Sequence, residues 1–214
     1  MGRLYPGIDA RLAGFVESQP VFFVASAPLD ADGHVNCSPK GNNGSFTVLD
    51  EHRAGYLDLT GSGIETIAHI QENRRIVLMF CAFVGPPRIV RFHGTAEAVP
   101  LGDPRFEGLL ERFAPNPGAR AVVVVTVERI SDSCGYGVPI MEFQRHRDNI
   151  DHWVDTKGPD GLVSYRAEKN AESIDGLPGI AQVGPQRSSG LPTAQDVAEG
   201  ARDRPAGRAG RRRM

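Results

Sequence analysis

Two short stretches of this 214-residue sequence hold residues that could bind an anion. The first, "LDLTGSGIETIAHI" (residues 57–70), is typical of a strand end, a Gly-rich turn and a helix start. Ser62 and Glu65 fit the S-x-x-E capping box, in which each side chain bonds a backbone amide at the helix start. Gly61 and Gly63 would equally let a phosphate approach those amides, because a helix N-terminus carries unpaired N–H groups and partial positive charge. Both interpretations stay open at this point.

The second stretch, "NCSPKGN" (residues 36–42), places a lysine between a proline and a glycine. Pro39 cannot continue a central hydrogen-bonded ladder. We therefore expect Lys40 at a strand end, facing a cleft, where it could serve as the cation of a phosphate site. An ordinary exposed lysine is the alternative.

The histidines form no recognisable metal site. His146 and His152 lie six residues apart, a spacing that does not place them on one helical face, and no third ligand is close in sequence. His93 alternates with Arg91 on a predicted strand, so both should face the same way. That arrangement is compatible with a cleft.

Composition excludes several classes of protein. Hydrophobic residues make up 40% of the chain, which is enough for a core, and the net charge of −2 indicates no preference for nucleic acid or membrane. No run approaches the roughly 18 apolar residues of a membrane span. Three scattered cysteines (Cys37, Cys81, Cys134) favour a reducing compartment, and with no secretory signal the expected location is the cytoplasm. The terminal "GRAGRRRM" lacks aromatics, so nucleic acid is not an expected partner.

Apolar patterning predicts a mainly β chain with a few helices. The expected strands cover residues 21–27, 34–41, 54–59, 75–83, 87–99 and 120–130, and the expected helices lie near 9–18, 64–73, 103–113 and 145–156. Such spacings predict an antiparallel barrel of six or so strands within residues 1–180, with an extended covering segment over 164–180 on its surface. Residues 181–214 are rich in Gly, Pro, Ser and Arg, and we expect them to be disordered.

Read in order, three stretches resemble the pyridoxamine 5′-phosphate oxidase family, the FMN-binding split β-barrels. They are "VFFVASAPLDADGHVNCSPKG", "YLDLTGSGIETIAHIQENRRIVLMF" and "PPRIVRFHGTAEAV", and the resemblance covers roughly residues 15–133. It implies a homodimer with one FMN in each of two clefts shared between the subunits. It also implies an oxidoreductase acting on a small molecule, in which the flavin performs the redox chemistry.

The resemblance further implies which residues contact the flavin. They lie on the second strand, on the Gly-rich turn with the helix that follows it, and on a later strand. Carried over to this sequence, the candidates are Ser38, Pro39, Lys40, Gly41, Asp58, Thr60, Gly61, Ser62, Thr66, Arg88 and Arg91. No catalytic side chain is identified.

Two motifs of the oxidase itself are absent from this sequence, and their absence bears on which function is expected. Its turn reads S-R-K, whereas this chain has Ser62-Gly63-Ile64, so two cations are lost and another must substitute if phosphate is to bind. No counterpart of the oxidase's R-L-x-P substrate motif is present, which argues against true pyridoxamine 5′-phosphate oxidase activity. The alternative is a non-catalytic module on the same fold that stores or senses flavin, or binds haem or the deazaflavin F420.

Overall fold

The computed structural model describes residues 2–180, in which eight strands form one antiparallel sheet. The strands are β1 (Leu4–Tyr5), β2 (Val21–Ser26), β3 (Asn36–Gly41), β4 (Phe46–Asp50), β5 (Arg53–Leu59), β6 (Arg75–Cys81), β7 (Ile89–Pro100) and β8 (Ala119–Ser133). The helices are α1 (Ala10–Glu17), α2 (Glu65–Asn73), α3 (Phe106–Leu110) and α4 (Asn149–Lys169). The strand order is β3-β2-β6-β7-β8-β5-β4, with β1 paired to β8. The predicted split-barrel class is confirmed, and β1 and β4 raise the strand count above the expected six.

The sheet curls until strands from its two ends approach each other. The ring of Phe22 in β2 lies 5.3 Å from that of Phe46 in β4, and the Ser45 hydroxyl donates to the Gly41 carbonyl at 2.6 Å. In β2 burial alternates, with Phe22 and Val24 inside and their neighbours half-buried on the outer face. This period of two is what a strand with one core face requires.

Helix α1 fills one side of the barrel core. Leu12 and Val16 are buried against the strands, and Asp9, the N-cap, accepts a hydrogen bond from the Leu12 amide at 2.7 Å. Helix α2 contacts β2, β6 and β7 and follows the Gly-rich turn, so the turn is anchored to the barrel on both sides.

The C-terminal part of the described chain differs from expectation. Helix α4, from Asn149 to Lys169, consists of two helical halves that meet at a kink at the non-helical Gly158 (φ 63°), and Pro159 follows the kink. The expected extended segment from residue 164 is therefore wrong for its first six residues. A proline costs nothing in a helix's first turn, where its missing N–H has no partner. Leu162 and Arg166, one turn apart, then bury the face of the second half.

Two further expectations concern membrane-spanning segments and the C-terminal tail. None of the helices in residues 2–180 has both the length and the apolar character needed to cross a bilayer. The predicted disordered tail, 181–214, lies outside the described residues.

Candidate cofactor-binding site

A buried carboxylate lies between two cations where β3 and β5 come together. Asp58 of β5 accepts from Lys40 Nζ on Oδ1 at 2.8 Å and from Arg120 Nε on Oδ2 at 2.7 Å. Asp58 and Arg120 are 1% and 4% exposed, whereas the Lys40 side chain is 24% exposed. The Lys40–Asp58 pair exists because the curled sheet brings β3, an edge strand, against β5 from its other end. Arg120 reaches Asp58 from β8, the hydrogen-bonded neighbour of β5.

The electrostatics of this cluster stabilise the charged form of the acid. Burial alone would raise the pKa of the Asp58 carboxyl, but Lys40 and Arg120 together outweigh burial and hold that pKa below its ordinary value. Burial raises the pKa of the neighbouring Tyr56 hydroxyl, and the Asp58 charge adds to the effect. Asp58 is therefore ionised and Tyr56 neutral at physiological pH.

The Gly-rich turn, residues 60–63, is tied to the barrel through its oxygen atoms. Arg120 donates from Nη1 to the Gly61 carbonyl at 3.1 Å and from Nη2 to the Gly63 carbonyl at 2.6 Å. Arg166 Nε donates to the Thr60 hydroxyl at 2.9 Å, and Asn170 Nδ2 donates to the Gly61 carbonyl at 2.8 Å. Three side chains from β8 and α4 therefore hold the acceptors of the turn.

The backbone amides that follow are left open. Helix α2 begins at Glu65 with Ile64 at the N-cap and no side-chain cap, so the predicted Ser62–Glu65 capping box is wrong. Within residues 2–180, no amide from Gly61 to Ile67 donates to a protein acceptor. Such a run of free donors at the start of a nine-residue helix is suited to an anion.

Gly61 is not required by the fold. Its φ lies outside the left-handed region, and a Cβ built on it would meet nothing closer than the Leu59 carbonyl oxygen, at 4.0 Å. The space beside this backbone is therefore open to a ligand. At Gly63 a Cβ would lie 2.9 Å from a carboxylate oxygen of Glu65, which folds back over the turn.

Two connected cavities adjoin this turn. One, of about 270 Å³, extends from Ser38 and Lys40 to the start of α2 and to Arg120. The other, of about 500 Å³, extends from Lys40 and Gly61 to residues 145–151. They have Pro39, Lys40, Leu59 and Gly61 in common. The larger volume falls within the range of about 300–1,000 Å³ that is usual for cofactor and ligand sites.

Strand β3 is fastened to α2 by a polar chain beside the smaller cavity. The Ser38 hydroxyl donates to Asn36 Oδ1 at 3.0 Å, and Asn36 Nδ2 donates to the Thr66 hydroxyl at 2.9 Å. This chain fixes the distance between Ser38 and Thr66, two of the sequence-derived candidates, from opposite walls of the cavity.

Most of the sequence-derived candidates lie together in the structure. Eight of them line these two cavities: Ser38, Pro39, Lys40, Gly41, Asp58, Thr60, Gly61 and Thr66. Ser62 lies in the turn itself. Arg88 and Arg91 lie on or next to β7 instead, where Arg88 contacts the Tyr5 hydroxyl at 2.8 Å and Arg91 donates to the Ser133 hydroxyl at 3.1 Å.

Sequence reasoning missed Arg120, Arg166 and Asn170. A signal for Arg120 was present in the sequence. Arg120 lies in the apolar run "ARAVVVV" and Asp58 lies in "YLDL". Because a charge buried in an apolar strand needs an opposite charge as partner, the two residues could have been expected to pair. Arg166 and Asn170 lie more than 100 residues from the turn they contact, and no local pattern connects them to it.

Comparison with known proteins gives one family. The family model described as pyridoxamine 5′-phosphate oxidase matches residues 8–134. The pyridoxamine 5′-phosphate oxidase family protein ustO of Aspergillus flavus is 36% identical over 192 residues, covering 82% of this chain and 77% of that protein.

Solved structures give weaker matches. The Group A Streptococcus protein HupZ is 26% identical, covering 57% of this chain and 91% of that chain, with a TM-score of 0.44. A pyridoxamine 5′-phosphate oxidase-related, FMN-binding protein from Nostoc punctiforme is 9% identical, covering 53% of this chain and 73% of that chain, with a TM-score of 0.39.

Proposed function

Because the chain belongs to the pyridoxamine 5′-phosphate oxidase family, we propose that it is an FMN-binding flavoprotein, an oxidoreductase acting on a small molecule. The residues around the two cavities suit a phosphorylated flavin. When bound, FMN would supply the redox chemistry, while the protein supplies position and electrostatics.

The observation that carries this proposal is the surplus of positive charge beneath the turn. Lys40 and Arg120 share one buried carboxylate, Asp58, and Arg166 bonds the Thr60 hydroxyl of the same turn. With Glu65 counted, which folds back over Gly63, the three cations around the turn outnumber the two acids by one. Arg166 is buried, and no carboxylate in residues 2–180 lies within 4 Å of it. A phosphate monoester carries about −1.5 to −2 charges at pH 7 and would offset that surplus.

Arg120 also compensates for the two cations that the S-R-K turn of the oxidase has and this turn lacks. In place of the two cations lost from the turn, Arg120 from β8 and Arg166 from α4 bond the oxygen atoms of the same turn. Their charges would act on the phosphate through the electric field across the backbone, without direct contact. With the free amides of residues 61–67 above them, the phosphate of FMN would lie at the start of α2. The isoalloxazine would extend along β3 into the larger cavity.

The outer face of the sheet supports a homodimer with shared cofactor clefts. Phe23 pairs with Pro39 on one side and with Met79 on the other, and Met79 pairs with Arg91, so these four side chains share one face. Phe23 and Met79 are half-buried apolar residues outside the barrel, where an uncovered antiparallel sheet would carry polar ones. A second copy covering this face would bury Phe23 and Met79 together with Pro39 and Arg91, two of the sequence-derived candidates.

The reducing interior of the cell fits the free cysteines. Cys37, Cys81 and Cys134 form no disulfide, and two of them are exposed. We infer a cytoplasmic location on that basis.

An absorbance spectrum of the freshly purified full chain, followed by titrations with FMN and riboflavin, tests the proposal. We expect flavin bands and a preference for FMN of at least tenfold, since only FMN carries the phosphate. A Soret band would point to haem instead, and a protein that binds neither flavin would overturn the proposal. Anaerobic reduction of the bound flavin by reduced nicotinamides then separates an oxidoreductase from a storage or sensing module, whose flavin would stay oxidised.

A further inference from the structure

Helix α4 lies outside the family-matched residues 8–134, yet its last turn contacts the Gly-rich turn directly. Asn170, the C-cap of α4, is fully buried, and its side-chain nitrogen donates to the Gly61 carbonyl at 2.8 Å. The same carbonyl also accepts from Arg120 Nη1 at 3.1 Å. One oxygen of the turn therefore has two donors from two different elements.

The Asn170 side chain is not needed to satisfy the barrel. Its Oδ1 is buried without a hydrogen-bond partner in the described part of the chain. The Gly61 carbonyl would keep Arg120 as a partner if Asn170 were absent. The same Asn170 nitrogen also donates to the Ser62 carbonyl at 3.5 Å. A buried amide that leaves its own oxygen unsatisfied and directs its nitrogen only at this turn calls for an explanation beyond stability.

The planarity of the peptide bond supplies that explanation. All peptide bonds in the described residues are trans, so the carbonyl of one residue and the N–H of the next point in opposite directions. The Gly61 carbonyl points towards Arg120 and Asn170, and the Ser62 N–H therefore points away from them. The Gly63 carbonyl points to Arg120 at 2.6 Å, which directs the Ile64 N–H away from the cations in the same manner.

We propose that Asn170 is a positioning residue that turns the Ser62 amide towards the anionic group of the ligand, which makes α4 part of the phosphate site. The inference rests on the proposed function, because the anionic group is taken to be the phosphate of FMN. Arg120 fixes both peptide planes from β8, and Asn170 fixes the first of them from α4. An amide held in this orientation before binding needs no reorganisation when the phosphate arrives.

The test compares the full-length Asn170→Leu variant with the wild type in titrations with FMN and with riboflavin. Leucine is close to asparagine in size and removes the unsatisfied Oδ1, so we expect the melting temperature of the apo protein to change little. We expect FMN affinity to fall about tenfold and riboflavin affinity to stay the same. Lys169→Leu, at the neighbouring exposed position of α4, serves as the control and should leave both affinities unchanged.

The outcomes separate the two proposals. A wild type without preference for FMN over riboflavin overturns the proposed function and this inference together. A wild type with that preference, and an Asn170→Leu variant that keeps it, overturns only the inference; so does an equal loss of both affinities. Should Asn170→Leu fail to fold, Asn170→Ser is titrated in its place. In the wild type, the ¹⁵N–¹H resonance of Ser62 should also shift on addition of inorganic phosphate, and an unshifted resonance would count against the inference.

Discussion

Arg120 and Asp58 hold each other inside the barrel, with Nε 2.7 Å from Oδ2, while the other two nitrogens of the same guanidinium reach carbonyls of the Gly-rich turn. One planar group therefore connects a buried acid to the backbone that we assign to phosphate. Because the guanidinium is rigid, its geometry at Asp58 sets its geometry at the turn. Substitution of Asp58 should therefore change both the free energy of unfolding and the affinity for the ligand.

Replacing Asp58 by asparagine should lower the stability of the apo protein in a pH-dependent way. The substitution leaves Lys40 and Arg120 without their carboxylate, and breaking a buried ion pair in this manner costs about 3–5 kcal/mol. The native pKa of Asp58 lies below its ordinary value of 3.8, so in acid the unfolded state takes up the proton first. The stability that Asp58 contributes is complete above about pH 4–5 and is lost as the pH falls through its native pKa.

Urea unfolding of the wild type and of Asp58→Asn between pH 7 and pH 3 measures this effect. The difference in the free energy of unfolding between the two proteins should shrink as the pH falls, since only the wild type loses the contribution of Asp58. Other acids with lowered pKa values, such as Asp132, are common to both proteins and cancel in the difference. A difference that stays constant over this range would contradict the assignment.

Gly61→Ala should separate ligand binding from folding. The site has room for a methyl group and a φ that alanine tolerates, so the apo protein should melt at the same temperature or slightly higher, by the equivalent of up to about 1 kcal/mol. The methyl group would occupy the space that we assign to phosphate, and the dissociation constant for FMN should rise at least tenfold. Gly108→Ala in α3, where a Cβ also meets no neighbour, is the matched control. Unchanged FMN affinity in Gly61→Ala would show that nothing approaches this backbone.

Local patterns predicted the parts of the site that lie within one element. From Pro39 we predicted that Lys40 lies at a strand end beside a cleft, and in the structure β3 ends one residue later and Lys40 lines both cavities. Small residues at 61–63 indicated a backbone that a ligand could approach. The capping box failed because Ser62 lies two residues before the N-cap, Ile64, whose side chain is buried. The S-x-x-E pattern records spacing, and packing of Ile64 against the barrel decides where the helix begins.

The missing parts of the site depend on contacts between distant residues. Arg166 bonds Thr60 across 106 positions of the sequence, and it does so because a second helical half follows the kink at Gly158, where the sequence predicted an extended segment from residue 164. The proline lies in the first turn of the second helical half, so it starts that half rather than ending the first. A Gly-Pro pair in the sequence therefore indicates a break in a helix, but it does not say whether a second helix follows the break.

Met79→Glu tests whether the outer face of the sheet is covered by a second copy. In a two-fold interface the substitution appears twice and places a buried charge on each subunit, so the dimer should dissociate at micromolar concentration. Analytical ultracentrifugation measures the mass, and far-UV circular dichroism checks that the barrel persists. Ile174→Glu, which removes an exposed apolar side chain elsewhere, should remain as dimeric as the wild type. A dimeric Met79→Glu protein would place the interface on another face.

Glu65→Gln should change stability and FMN affinity in opposite directions. The Glu65 carboxylate lies in the first turn of α2 and folds back over Gly63, so it shares the positive region that we assign to phosphate. An acid at a helix N-terminus stabilises the helix by about 0.3–1 kcal/mol, and the apo variant should lose that amount. The loss of a like charge should tighten FMN binding several-fold without affecting riboflavin. The gain should be smaller at 1 M salt, where the Debye length is about 3 Å.

Glu111→Gln makes the same charge change at an exposed position far from the turn in sequence, and it should alter neither quantity by as much. If Glu65→Gln weakened FMN binding instead, the carboxylate would be a ligand contact, and the anion would have to lie elsewhere than at the start of α2.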